Sequence, residues 1–125
     1  MNYKIVISGK FPSLNEYISK NRTHKQAANA MKQRDENRII AEVLSQFKRR
    51  IRINKPVYIA YMFYEPNKKR DFDNISGYFH KIFQDALVKA GILANDGWGC
   101  IKGYSDDFDC DNKNPRIEIE IREAE

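Results

Sequence analysis

The sequence lacks the signatures of several common functions. Its two cysteines, Cys100 and Cys110, form neither a C-x-x-C pair nor a zinc-binding spacing, so the chain is expected to carry two reduced thiols in a cytosolic setting. Its only histidines are His24 and His80, and no nucleophilic triad or cysteine–histidine pair is visible. No glycine-rich phosphate loop occurs. No apolar run approaches the roughly 20 residues needed to cross a bilayer. The opening MNYKIVISGK is too short and too alternating for a signal peptide. No linker, repeat or low-complexity segment divides the 125 residues, so a single domain spanning 1–125 is expected.

What remains is a basic, foldable chain. The composition is 42% hydrophobic and 31% charged, which fits a folded soluble protein rather than a disordered one. The net charge of +5 leans toward a polyanionic partner such as nucleic acid. A chain of this size buries one core and lies in the range where oligomers are common. The expected setting is the cytoplasm, with no membrane association.

Patterning predicts the elements. NYKIVISGKFP alternates Tyr3, Ile5 and Ile7 with Lys4 and Ser8, a first strand ended by Gly9 and Pro12. SLNEYISKNRTH is polar and irregular and reads as a loop. From about Lys25 to Arg50, Ala28, Met31, Ile39, Val43 and Phe47 recur at helical spacing, and the KRR end suits the negative end of a helix dipole. NKPVYIAYMFYEP is apolar on both faces, which predicts a central strand covered on both sides. Asp73 reads as the N-cap of a second helix that runs to about Ala90 and stops at Gly91. Its buried stripe is Ile75, Phe79, Ile82, Phe83 and Ala86. WGCIKGYSDDF reads as a third strand, and PRIEIEIRE as a fourth with Ile117, Ile119 and Ile121 on one face. The fold class is α+β: one mixed sheet with two helices, in the order β-α-β-α-β-β.

Chemistry concentrates in NKKRDFDN, Asn67 to Asn74. Three cations precede Asp71 and Asp73, which project to one side if the segment is extended. Two carboxylates held together need a cation or a shared proton, and carboxylate oxygens suit a hard ion such as Mg²⁺. The helix behind them offers N–H groups to a phosphate. The alternative is an ordinary helix cap beside a surface charge, and caps are far commoner than metal sites. Asp96 comes after the same helix; if that helix folds back along the sheet its far end need not lie near Asp71, or the loop belongs to the site after the chain returns, and NDG taken alone is a turn signal. Asp107, Asp109, Asp111 and Glu118 imitate the ligand spacing of a calcium loop, but Asn112 replaces the required glycine, Pro115 interrupts the loop and a strand comes next. That segment reads as a solvated turn between strands.

RDFDN (Arg70 to Asn74), KIFQDALVKAG (Lys81 to Gly91) and LANDGW (Leu93 to Trp98) together resemble the RusA family of Holliday junction resolvases. PSLN (Pro12 to Asn15) and the closing RIEIEI strand add weaker likeness. The resemblance implies a Mg²⁺-dependent endonuclease, with Mn²⁺ as a substitute ion, that acts as a homodimer on branched DNA and is often encoded by phages and prophages. It carries the metal-binding role to Asp71, Asp73 and Asp96, and the catalytic lysine to Lys81. Here four additional residues separate Asn74 from that lysine, and Asn95 stands where a further acid is expected.

The implied mechanism has a metal ion that polarises the scissile phosphate and activates water. Lys81 stabilises the transition state. Lys68, Lys69, Arg70 and Asn74 are the expected DNA contacts. On an ideal helix, His80 lies roughly 20° from the Asp73 direction and Lys81 roughly 80° away, so geometry favours His80 while the resemblance favours Lys81, with His80 as a packing residue. Two other functions stay open: a non-catalytic nucleic-acid-binding module, and a Mg²⁺-dependent nuclease for flaps or single strands.

Overall fold

The computed structural model describes residues 2–47 and 49–124. Its elements are β1 (Asn2–Ser8), α1 (Leu14–Thr23), α2 (Lys25–Gln46), β2 (Val57–Glu65), α3 (Phe72–Lys89), β3 (Ile101–Cys110) and β4 (Arg116–Glu123). The α+β class with one mixed sheet holds. The helices number three, not two, and the order is β-α-α-β-α-β-β.

The additional helix is α1, in the stretch expected to be a loop. Ser13 accepts from the Glu16 N–H at 3.0 Å, and Glu16 accepts from the Ser13 N–H at 3.3 Å, a reciprocal capping box. No residue of α1 is buried, so no apolar stripe marks it in the sequence. Tyr17 anchors it by packing on the Tyr78 ring at 5.1 Å. The next helix, α2, is shorter than expected and ends at Gln46, where Phe47 turns extended. The Gln46 amide bonds both the N–H (2.8 Å) and the C=O (2.7 Å) of Val6, serving the outer edge of β1 as a neighbouring strand would. Arg49 and Arg50 therefore lie beyond the helix; Lys48, the first residue of KRR, lies outside the described residues.

The sheet order is β1-β4-β2-β3, with β4 antiparallel to both neighbours and β2 parallel to β3. A parallel pair needs a long crossover, and α3 supplies it. Val57, Ile59, Tyr61 and Phe63 of β2 are buried together with Ile5, Ile7, Ile117, Ile119 and Ile121. The expected stripe of α3, from Ile75 to Ala86, packs on them. Gly91 ends α3 with φ of 77° and its N–H on the Val88 carbonyl; the Ile92 N–H reaches Leu87.

The strand β2 is central, but only one of its faces is covered. Tyr58 and Ala60 are exposed on the other, with Met62 and Tyr64 half-exposed. Arginines take the place of a second layer: Arg116 lies over the Tyr64 ring at 3.9 Å and Arg122 over Tyr58 at 5.4 Å. The calcium-like acids are dispersed as well. Asp107 and Asp109 belong to β3, Glu118 belongs to β4, and Asp111 caps the turn by accepting from the Lys113 and Asn114 N–H groups. Hydrogen bonding from Arg116 holds the Asp111 carboxyl below its ordinary range. Among the described residues, no helix is long and apolar enough to cross a membrane.

Two acids of α2, Asp35 and Glu36, are buried. Asp35 accepts from the Tyr78 hydroxyl at 2.8 Å, and Glu36 accepts from Lys89 at 2.7 Å. Both contacts join α2 to α3. Burial, reinforced by Asp35, pushes the Tyr78 phenol up, so it stays a neutral donor. Tyr78→Phe leaves a buried carboxylate without this donor and should cost about 1–3 kcal/mol. A urea unfolding midpoint that does not move would show that Asp35 is satisfied without Tyr78.

Candidate active site

The turn from β2 to α3 is built on a buried acid. Glu65 ends β2 with its carboxylate inside the protein. Arg70 reaches back five residues and donates to both of its oxygens, each at 2.9 Å. A third guanidinium N–H goes to the Phe11 carbonyl at 2.8 Å. Arg70 is therefore turned inward and holds the turn. Lys68 and Lys69 remain exposed.

Past Arg70 the cap differs from expectation by two residues. Asp71, not Asp73, is the N-cap: its backbone is extended and its Oδ1 accepts from the Asn74 N–H at 3.0 Å. Asp73 is already inside the first helical turn. The two carboxylates thus sit on a cap and a helical turn, not on alternate positions of a strand. Both are exposed at the positive end of α3. Asn74 is engaged elsewhere, since its Oδ1 accepts from the Asn15 N–H at 3.0 Å. PSLN and RDFDN are thereby in direct contact, through Asn15 to Asn74 and through Arg70 to Phe11, just ahead of Pro12.

The third acid lies at the other end of the helix. Val57 pairs with Ile101 and Glu65 with Cys110, so β3 starts beside the start of β2. Asp71 comes after the end of β2; Asp96 precedes the start of β3. The 18 residues of α3 lie between them in the chain, forming a helix roughly 27 Å long. Asp96 is exposed, in a loop shaped by the Asn95 side chain accepting from the Gly97 N–H at 2.9 Å. It borders a groove with Gln84, Trp98, Lys102 and Tyr104.

Between these ends, His80 and Lys81 face different ways. His80 Nε2 lies 2.7 Å from Asp106 Oδ1 of β3, with the Tyr104 and Tyr61 rings at 4.4 and 4.8 Å. Burial pushes the Tyr61 phenol up, so it stays protonated beside that pair. Lys81 is exposed and reaches Asp85 at 3.5 Å, which Lys32 of α2 also pairs at 3.4 Å. His80 thus ties α3 to β3, as a packing residue would, and Lys81 stays in solvent. The Asp106 contact has no signal in the sequence, because it joins residues 26 apart on a helix and a strand.

One chain alone does not present a three-acid metal centre. Among the described residues, no group of three or more His, Cys, Asp or Glu side chains is arranged to hold an ion. Asp71 and Asp73 stand at the start of α3, and Asp96 follows its end.

A family model described as Endodeoxyribonuclease RusA matches residues 9–122. No curated protein matches the chain.

The inward pairing of Arg70 predicts a stability effect with no counterpart at its neighbours. Arg70→Ala strands a buried carboxylate and should cost about 3–5 kcal/mol. Lys68→Ala and Lys69→Ala, at exposed positions, should stay within about 0.5 kcal/mol. Denaturant unfolding of the three variants checks this, and equal stabilities would contradict the inward role.

Proposed function

The chain belongs to the RusA endodeoxyribonuclease family, a family of DNA-cleaving enzymes, and from that premise we propose that it resolves four-way DNA junctions as a homodimer with Mg²⁺, by paired symmetric cuts. One observation carries the assembly: Asp71 and Asp73 stand at one end of α3 and Asp96 at the other. Acids placed toward opposite ends of α3 serve one ion if a second copy brings its own Asp96 to the first copy's Asp71 and Asp73. A two-fold axis does this twice and yields two identical sites, which is what two cuts on a symmetric junction require.

In this reading Asp71, Asp73 and Asp96 of a second copy would hold Mg²⁺, with Mn²⁺ as a substitute. When bound, the ion polarises the scissile phosphate and lowers the pKa of water. The chain's own groups do the remaining work. Lys81, exposed and two turns into α3, places its charge toward the phosphate as negative charge develops in the transition state. Lys68 and Lys69 neutralise flanking phosphates and offset the repulsion between DNA and the acids. Arg70 and Asn74 position the acids from behind. His80, already committed to Asp106, holds the helix that carries Lys81.

A second reading has one observation in its favour: the Asp71 carboxylate already serves as a helix cap. A binding module whose acids are only caps would bind junctions equally well with or without Mg²⁺ and would not cut. A nuclease for flaps or single strands would cut with the same acids on a different substrate. Labelled four-way, flap and linear duplex DNA, each with Mg²⁺ or with EDTA, separate the three.

Mixing two inactive variants tests the shared site. Asp73→Asn and Asp96→Asn should each abolish junction cleavage while junction binding persists or tightens, since repulsion falls. A mixed dimer of the two contains one site with both lesions and one with neither. The mixture should therefore regain single-strand nicking of a labelled junction. If each site were built from one chain, both sites of the mixed dimer would be damaged and the mixture would stay inactive.

A further inference from the structure

Phe72 stands between Asp71 and Asp73 and is 63% exposed, an unusual position for a phenylalanine in so constrained a turn. It is not loose. Its ring stacks on Phe108 of β3, with centroids 4.1 Å apart and planes at 6°. Phe108 stacks in turn on Phe63 at 5.3 Å and 14°, and Phe63 is buried in the core. Three parallel rings therefore run from the core to the surface, and the last presents its outer face to solvent. The backbone beneath is fixed too: the Phe72 carbonyl accepts from Ser76 Oγ at 3.0 Å, and the Asp71 side chain caps the same turn.

Beside this ring lies an open groove of about 330 Å³, bordered by Asn67, Lys68, Phe72, Phe108 and Asp109. Its size sits at the lower end of the range for sites that hold a small flat ligand. Its chemistry is that of one nucleotide. An open aromatic face suits a base of any sequence. Lys68 supplies a cation for the attached phosphate. The Asp109 carboxylate accepts from the Cys110 N–H through Oδ1, leaving Oδ2 to accept from an N–H on a base edge, whether an exocyclic amine or the ring N–H of thymine. A net charge of +5 favours a polyanion over a second copy of the chain as the occupant.

We propose that Phe72, backed by Phe108, is a stacking platform for one unpaired base at the branch point, and that it sets the preference for branched over linear DNA. The junction part rests on the function proposed above; the base-stacking part does not. In a linear duplex every base is stacked inside the helix, so the platform has nothing to hold. At a branch point, stacking is interrupted, and a base that swings out finds a pre-set ring beside the candidate acids. The ring is held by the core before DNA arrives, so little ordering is needed on binding.

Three variants, Phe72→Ala, Phe72→Leu and Phe72→Trp, are compared with the parent in the absence of divalent ions. Equilibrium binding is measured on a four-way junction, on linear duplex and on a short single-stranded oligothymidylate. Sedimentation velocity follows each variant. The site is exposed, so folding should persist, which thermal unfolding verifies. Phe72→Ala and Phe72→Leu should weaken junction and oligothymidylate binding roughly tenfold or more, with duplex binding unchanged; Phe72→Trp should retain both. Equal losses on duplex and junction would overturn the proposal, as would retained binding by Phe72→Leu, because a merely apolar contact would then suffice. A changed oligomeric state with unchanged oligothymidylate binding would also overturn it and assign Phe72 to a protein contact. If the parent protein shows no junction preference, the junction reading falls, and the oligothymidylate comparison alone decides the platform.

Discussion

Glu65 is buried at the point where β2 leaves the sheet, and a buried carboxylate must be paired. Arg70 meets that demand with two parallel hydrogen bonds and uses a third donor on the Phe11 carbonyl. The geometry of a planar guanidinium against a planar carboxylate leaves little freedom. It fixes the length and path of the turn between them and draws the β1–α1 connection onto the same point. Glu65 also receives the Asp111 N–H on its backbone carbonyl, so the end of β3 is gathered in as well. Asp71, the residue after Arg70, inherits its place as the N-cap from this pairing. The acids at the surface are held in position by an ion pair beneath them.

The parallel pairing of β2 and β3 has an equally firm consequence. A chain that leaves one strand and returns to pair parallel with it must travel back the full length of the sheet. Here α3 makes that journey, and its 18 residues set the separation between the turn at its start and the loop at its end. Asp71 and Asp73 go to one end and Asp96 to the other as a matter of topology. The same topology leaves β3 at the edge of the sheet, with no strand beyond it among the described residues. Its helix-side residues Tyr104, Asp106 and Phe108 are therefore only partly covered by α3. Each finds a partner there: Tyr104 and Asp106 take His80, and Phe108 takes Phe72. The contacts that lock α3 to the sheet edge thus also create the accessible aromatic and polar groups along it.

Much of this molecule is written locally. The alternating isoleucines of β1 and β4, the stripe of α3 and the glycine stop at Gly91 arise from periodicity and from a backbone conformation that glycine adopts without strain. The candidate acids stand out by residue type and by the likeness of three short motifs to one family. The departures have physical causes as well. The helix α1 has a capping box in its sequence, Ser13 with Glu16, but buries none of its residues, so hydrophobic periodicity is silent there. The end of α2 is set by Gln46 serving the edge of β1, a contact 40 residues away.

By itself, the sequence determined which residues are candidates for chemistry and which residues form apolar stripes, because those properties belong to single residues and their immediate spacing. Tertiary structure decided where that chemistry points. It turned Arg70 inward, because only the folded chain buries Glu65. It left one face of β2 open, because arginines rather than a second layer lie over Tyr58 and Tyr64. It joined His80 to Asp106 and placed Asp71 at the start of α3 with Asp96 beyond its end. Burial and distance between remote residues exist only once the sheet has assembled, and no local pattern encodes them.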